Sequence, residues 1–232
     1  MKIAVIIPTY NEKDNIERLV YELLTLDLKV DVYVVDDNSK DGTAKIVDEI
    51  GKKDRRVKLL LRKNKRGRGS AVIDGMKLAL EDKGVNYFVE MDADFSHDPK
   101  ELIKLVGKVE ESDVVIGSRY LKDSKIVGWP AKRYVFSRVA NFYAKIILGI
   151  PISDYTNGYR CYRREVIKAV DYSKIQSKGY IVLSEMAYQI YKKGFKFKDV
   201  GIVFVNRQRG ASNLKMREIA GAFSSVWRIK FS

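Results

Sequence analysis

The chain has 232 residues, 46% apolar and 32% charged, which is enough for one large α/β domain with a full core and too apolar for disorder. One cysteine, Cys161, excludes an internal disulfide framework and fits a reducing compartment, and no run of 18 apolar residues is present to span a bilayer. The net charge of +14 is unevenly placed: residues 1–118 hold 21 Lys and Arg against 23 Asp and Glu, whereas residues 119–232 hold 23 against 7. The second half is therefore expected to meet a polyanion, whether nucleic acid, an anionic membrane surface or a phosphorylated substrate.

The amino terminus enters a strand at once, with no basic-then-apolar leader, so cytosolic placement is expected. Residues 2–7 form a short apolar run of buried-strand type that Pro8 ends. Ile16, Leu19, Val20, Leu23 and Leu24 recur at helical spacing, which predicts an amphipathic helix over 14–26. A second strand over 31–35 runs into DDNSKDGT, whose turn and cap residues open a helix with Ile46, Val47 and Ile50 inside. A third strand covers 57–61, and the glycines of RGRGSA either let backbone approach a ligand or break the chain into a helix near 70–82. Neither a GxxxxGK nor a GxGxxG spacing is present. The fourth strand, 87–91, leads into DADFSHDP, and Pro99 starts a helix with Leu102, Ile103, Val106 and Val109 on one face. A fifth strand over 114–117 ends in SRY. This alternation predicts βαβ units in a mostly parallel sheet flanked by helices.

Beyond residue 118 the rhythm changes. A loop over 120–131 carries Gly128, Trp129 and Pro130; Gly128 and an exposed Trp129 lead to the expectation that residues 120–132 form a lid that orders with ligand. The helix that follows has Val135, Phe136, Val139, Phe142, Tyr143, Ile146 and Ile147 in one broad stripe, either core or an interfacial surface flanked by basic residues. Then come DYTNGYRCYRREV as loop, strand and helix, a helix over 182–193, a strand over 196–205, the loop NRQRGASNLK and a last helix with Trp227 and late basic residues. That helix suits a membrane interface or docking onto the body.

Four polar loops, PTYNE, DDNSKDGT, MDADFSH and GSRY, follow strands and so open on one carboxyl edge of the sheet, where such folds bind ligands. A cleft there would offer Glu12 and Asp37 to base and sugar hydroxyls, Asp92 and Asp94 to Mg²⁺ or Mn²⁺ against a diphosphate, and the planar donor fork of Arg119 to phosphate. The sole histidine, His97, is either a turn residue or a candidate general base.

Together with NGYRCYRREV and NRQRGASNL, these motifs resemble the inverting family-two glycosyltransferases, and within them most specifically the dolichyl-phosphate (polyprenyl-phosphate) mannose synthases, nearly end to end and in the same order. The resemblance implies a Rossmann-like nucleotide-diphospho-sugar transferase fold, one glycosyltransferase domain over 1–232 with a nucleotide-sugar and metal half (1–118) and a basic acceptor and membrane-facing half (119–232). It implies GDP-mannose as donor, dolichyl or another polyprenyl phosphate as acceptor, and Mg²⁺ or Mn²⁺. By the same resemblance Pro8, Tyr10, Glu12, Val35 and Asp37 lie on the nucleotide; Asp92, Ala93 and Asp94 on the diphosphate and metal; and Ser96 beside the metal. Asp94, Arg119 and Arg207 carry catalysis, Arg119, Arg207 and Asn213 also touching the donor, while Arg133 and Ser137 meet the acceptor phosphate. Two departures stand out. Ser96 replaces a glutamine common in relatives, and Ser212, Asn213, Leu214 replace S-K-L, so Arg209 or another nearby cation is expected to substitute for the lysine. A phosphate acceptor, largely dianionic at neutral pH, needs no general base. Peripheral attachment to the cytoplasmic face of a membrane follows, directly or through small membrane-anchoring subunits. The competing readings are a polyprenyl-phosphate glucosyltransferase using a UDP-sugar, a nucleic-acid-binding protein, which would leave the carboxylate loops without purpose, and a silent nucleotide-sugar-binding scaffold.

Overall fold

The computed structural model describes residues 1–64, 67–177, 179–206 and 216–231. Its first half alternates strand and helix as the periodicity predicts: β1 (Lys2–Thr9), α1 (Lys13–Leu24), β2 (Lys29–Asp36), α2 (Thr43–Lys53), β3 (Val57–Leu61), α3 (Arg68–Glu81) and β4 (Tyr87–Glu90). Pro99 opens a single 3-10 turn, Pro99–Glu101, capped by the Asp98 side chain, before α4 (Leu102–Lys108) and β5 (Val114–Ser118). The chain then adds β6 (Lys125–Val127), α5 (Ala131–Leu148), β7 (Arg160–Arg163), α6 (Arg164–Ala169), α7 (Ile181–Lys192), β8 (Phe197–Gly201), β9 (Val203–Val205) and α8 (Met216–Phe231).

Seven strands form one sheet in the order β3-β2-β1-β4-β7-β5-β8. All neighbours are parallel except β7, which lies antiparallel between β4 and β5. Both faces are buried, so the strands read as continuous apolar runs rather than alternating ones. One face packs Ile6, Val35, Phe88 and Ile116 against α3 and α7; the other packs Val5, Val34, Val89 and Val115 against α1, α2 and α4.

Three local expectations are revised. The loop over 120–131 contains β6, which pairs in parallel with β9 as a separate two-stranded sheet. The strand predicted over 196–205 is two strands, because buried Ile202 turns the chain from the large sheet to the small one. Trp129 is half-buried rather than exposed: its ring packs edge-on against Phe204 at 5.4 Å.

The stripe of α5 divides between the two expectations for it. Val135, Phe136, Val139, Phe142 and Ile146 are 42–66% exposed, while the buried positions are Asn141, Ala144 and Leu148. Tyr143 and Ile147 of the stripe pack with Leu148 on the core, and the other five apolar residues of the stripe turn outward. Asn141 makes that possible, since its amide donates to the Ser137 carbonyl at 2.7 Å and its Oδ1 accepts the Tyr155 N–H at 2.6 Å.

Candidate active site

The chain runs outward from β1 through β2 to β3, then returns to place β4 on the other side of β1. The loops leaving β1 and β4 therefore diverge, and a crevice opens at the carboxyl ends of these two strands. Pro8 and Val35 are register partners at the ends of β1 and β2; Val35 is fully buried in the core against α3, and Tyr10 in the loop beyond β1 is 40% exposed.

The loops after β1 and β2 are stitched together. The Asn11 N–H donates to Ser39 Oγ, the Lys40 N–H to Asn11 Oδ1, the Glu12 N–H to Thr43 Oγ1 and the Lys13 N–H to Asp41 Oδ2, all at 2.8–3.0 Å. Thr9 and Ser39 hydroxyls both donate to buried Asp36. Asn11 and Asn38 each take φ 59°, a left-handed conformation that asparagine tolerates.

Asp37, expected on base and sugar hydroxyls, is only 6% exposed. Its Oδ1 accepts Arg62 Nε at 2.7 Å and its Oδ2 accepts the Gly67 N–H at 2.7 Å. Buried Arg62 also reaches Asp74, Ser70 Oγ and the Gly67 carbonyl, so Asp37 anchors the turn into α3. Glu12 accepts the Asn15 side-chain amide at 2.9 Å.

After β4, Phe95 takes φ 59°, a conformation costing an aromatic residue on the order of 1–2 kcal/mol. The turn it makes brings the Ser96 N–H onto Asp94 Oδ1 at 3.1 Å. Ala93 and Ser96 are buried beside it. His97 is a brace. Its Nδ1 accepts the Asp92 N–H at 3.0 Å, which leaves Nε2 to donate to Asn157 Oδ1 at 2.8 Å, and its ring stacks on Tyr159. Burial holds its pKa below the ordinary histidine value, consistent with this neutral form.

Sequence reasoning passed over the cations that neutralise these carboxylates. Arg68, the first residue of α3, places Nε 2.7 Å from Asp92 Oδ1 and Nη1 3.5 Å from Glu90 Oε2. Burial works against the Arg68 charge, but Asp92 and Glu90 outweigh it and hold the guanidinium above its ordinary pKa. Glu90 is itself fully buried, accepts the Tyr162 hydroxyl at 2.7 Å, and is pushed up by burial against the pull of Arg68 and Arg160.

Arg119, expected to face phosphate, is held by another acid. Its Nε and Nη2 grip Asp154 Oδ2 and Oδ1 at 2.7 Å each, and Nη2 also reaches Thr156 Oγ1. The rings of Tyr120, Trp129 and Phe204 surround the guanidinium at 5.1–5.4 Å. Burial opposes the Arg119 charge, yet Asp154 next to it, and more weakly Tyr120 and Asp92, raise its pKa. Arg119 sits at the wall of a cavity of about 560 Å³ that Leu121, Ile126, Trp129, Tyr134, Val135 and Arg138 also line. Tyr120 donates to Ser137 Oγ at 2.5 Å, and Arg133 lies 4.1 Å over the Trp129 ring while donating to Asn206. Arg207, Arg209 and Asn213 lie outside the described residues.

Among the described residues, no cluster of three or more His, Cys, Asp or Glu side chains forms a metal cage. The crevice thus offers two carboxylates, and beside it lies a cavity polar at the Arg119 end and apolar toward the exposed face of α5.

Known proteins share this plan. The pattern described as "Glycosyl transferase family 2" matches residues 4–171. The polyprenol monophosphomannose synthase of Mycolicibacterium smegmatis is 40% identical over 230 residues, which cover 97% of this chain and 86% of that protein. The undecaprenyl-phosphate mannosyltransferase of Micrococcus luteus is 38% identical over 228 residues, covering 98% and 93%. The glucosyl-3-phosphoglycerate synthase of Mycobacterium tuberculosis, solved with Mn²⁺, UDP and glucosyl-3-phosphoglycerate, superposes with a TM-score of 0.66 at 19% identity, over 98% of this chain and 78% of that one. The fold is the nucleotide-sugar transferase fold that the sequence motifs imply.

Proposed function

The chain belongs to glycosyl transferase family 2 and is a glycosyltransferase, and from that premise we propose that it moves mannose from GDP-mannose to the phosphate of a polyprenyl (dolichyl-type) phosphate, with inversion, at the cytoplasmic face of a membrane. The observation that supports this reading best is the juxtaposition of a two-carboxylate crevice with a cavity that runs from Arg119 to an exposed apolar helix face. A diphosphate suits the first, and a phosphate with a hydrocarbon tail suits the second. Residues 1–118 then supply the donor half and residues 119–232 the acceptor half of one glycosyltransferase domain.

Asp92 and Asp94 fit Mg²⁺ or Mn²⁺, which accept hard oxygen donors, keep few protein ligands and complete their shell from phosphate and water. When bound, such an ion neutralises charge on the departing diphosphate. The glucosyl-3-phosphoglycerate synthase solved with Mn²⁺ and UDP has the same fold. In this chain Ser96 orients Asp94 and His97 fixes the backbone of Asp92. Arg119 and Arg138 draw the acceptor phosphate into the cavity, with Arg133 and Ser137 at its rim on α5. Asp154 keeps the Arg119 fork in one orientation. The phosphate dianion attacks the anomeric carbon as the bond to the diphosphate breaks, and the electron pair leaves with GDP. No side chain has to remove a proton.

The exposed stripe of α5, with Trp227 and Phe231 of α8, supports a membrane-facing surface, ringed by Lys132, Arg133, Arg138, Lys145, Arg228 and Lys230. Attachment in this reading is peripheral or through a small anchoring subunit; among the described residues no helix is long and apolar enough to cross a membrane.

The test is transfer of labelled sugar from GDP-mannose, UDP-glucose and UDP-N-acetylglucosamine to a short polyprenyl phosphate, with and without Mg²⁺ or Mn²⁺. Metal-dependent transfer from GDP-mannose alone is expected. Transfer only from a uridine donor would overturn the donor, and nucleotide binding with no transfer would point to a silent scaffold.

A further inference from the structure

The side chain that the reaction just described leaves unused is Arg68. Its guanidinium is buried at the amino end of α3, between Asp92 of the crevice and Glu90, two residues earlier at the end of β4. The backbone around it is shaped to admit it. Any side chain at Gly158 would collide with the guanidinium, and any at Gly69 would collide with Val182 and the Gly179 carbonyl. The ring of Tyr180 closes the site 5.4 Å away.

The pairing is uneven. Toward Asp92 the bond is short, 2.7 Å; toward Glu90 the contact is long, 3.5 Å, and Nη2 is buried with no hydrogen-bond partner among the described residues. An unpaired buried N–H of a charged group is costly. With Nη1 at the outer limit of a hydrogen bond to Glu90 Oε2 and Nη2 unsatisfied, the guanidinium has donor capacity left over for a closer grip on a carboxylate. Glu90 has the capacity to complete it, since Tyr162 occupies only Oε1 and Oε2 faces Arg68.

We infer that Arg68 is a two-position latch on the donor site: it neutralises Asp92 while the crevice holds no cation, and moves onto Glu90 when a divalent ion takes that carboxylate. Arg68 is thus a positioning residue that acts through Asp92. It keeps two acidic side chains from facing each other in the empty crevice, and it makes ion binding an exchange of cations rather than an addition of charge. Glu90 is the resting partner that makes the exchange possible without stranding a buried guanidinium. The inference rests on the proposed role of Asp92 as a metal ligand.

Mn²⁺ binding in the presence of GDP, followed by electron paramagnetic resonance of the free ion, tests the latch without any turnover. Arg68→Gln removes the competing cation and is expected to tighten Mn²⁺ roughly tenfold, within the ordinary range of coupling between two ligands. Glu90→Gln leaves Arg68 nowhere to go and is expected to weaken Mn²⁺ by a similar factor. In the Arg68→Gln background that weakening should fall below half its logarithmic size, because the latch is gone. Unchanged or weaker Mn²⁺ binding by Arg68→Gln, or an equal Glu90→Gln effect in both backgrounds, overturns the latch while leaving the metal reading intact. No Mn²⁺ binding by the unmodified protein with GDP overturns both. Should Arg68→Gln fail to fold, the ¹⁵Nε resonance of Arg68 in the unmodified protein is the readout: it is expected to shift on adding Mg²⁺ with GDP, and a fixed resonance overturns the latch.

Discussion

Replacing Phe142 and Ile146 by serine separates membrane attachment from chemistry. The two residues lie one turn apart on α5 and are 66% and 64% exposed, with their neighbours Val135 and Val139 at 59% and 52%. Burying a full Phe or Ile side chain is worth about 1.5–3 kcal/mol. Two thirds of that for each residue gives about 2–4 kcal/mol for the pair on entering the acyl boundary. At 1.4 kcal/mol per factor of ten, the double variant should bind vesicles roughly a hundredfold more weakly. The flanking Lys and Arg residues each add on the order of 1 kcal/mol on an anionic surface, so the loss should be seen both with and without anionic lipid, and affinity should fall further as salt rises. Sedimentation with vesicles of graded phosphatidylserine content measures it. Because both side chains face outward, the melting temperature should move by no more than about 2 °C, and transfer to a water-soluble short-chain polyprenyl phosphate should be retained. Equal vesicle affinity of variant and parent would refute a membrane role for this stripe.

Three further outcomes are expected. Asp94→Ala should lower transfer about a hundredfold or more and abolish Mn²⁺ binding while the circular dichroism spectrum is unchanged; undiminished transfer would refute the metal assignment. Asp154→Asn strands Arg119, which is 6% exposed in its side chain, and should cost about 3–5 kcal/mol, or about 6–20 °C in melting temperature. Asp154 is opposed by burial, but Arg119 and nearby N–H groups hold its pKa below the usual carboxylate range. Its contribution is therefore full above that range and lost as pH falls through the lowered value, so the gap between parent and variant in melts taken at successive pH values should close in acid. Cys161 is fully buried and burial alone pushes its thiol pKa far up, so a thiol reagent should react with it in denaturant and not in the folded protein; rapid labelling of the native chain would contradict the packing of β7.

The strands of the first half were readable because each is a continuous apolar run between helices of clear 3.6-residue period. What periodicity does not encode is which strand lies beside which. RCYR in β7 reads as a strand, but nothing in it says that it inserts antiparallel between β4 and β5. β6 escaped notice because KIV is three residues long and not buried on either side. The stripe on α5 was visible and its direction was not, since a moment has no sign until something polar such as Asn141 is seen to be satisfied on the inner face. In the site, Asp92 and Asp94 stood out through context, since Asp-x-Asp alone is common in turns but here shares one carboxyl edge with three other polar loops. Their partners were hidden. Arg68 looked like one more charge among glycines in RGRGSA, and Asp154 like a loop acid, since a buried ion pair bridging residues 119 and 154 leaves no local spacing to find.

The central position of β7 also sets the order in which a growing chain can complete itself. β1 to β4 can assemble as soon as they leave the ribosome, but β5 touches only β7 and β8 in the sheet, both made later. Until residue 163 emerges, several seconds after β4 at ordinary rates of synthesis, the outer edge of β4 is an unpaired template carrying the Asp92 loop. A bare edge of this kind invites pairing with a second nascent chain. Synthesis halted between β5 and β7 should therefore yield a product that binds chaperones or aggregates, and pulse proteolysis of stalled chains would reveal the step at which protection appears.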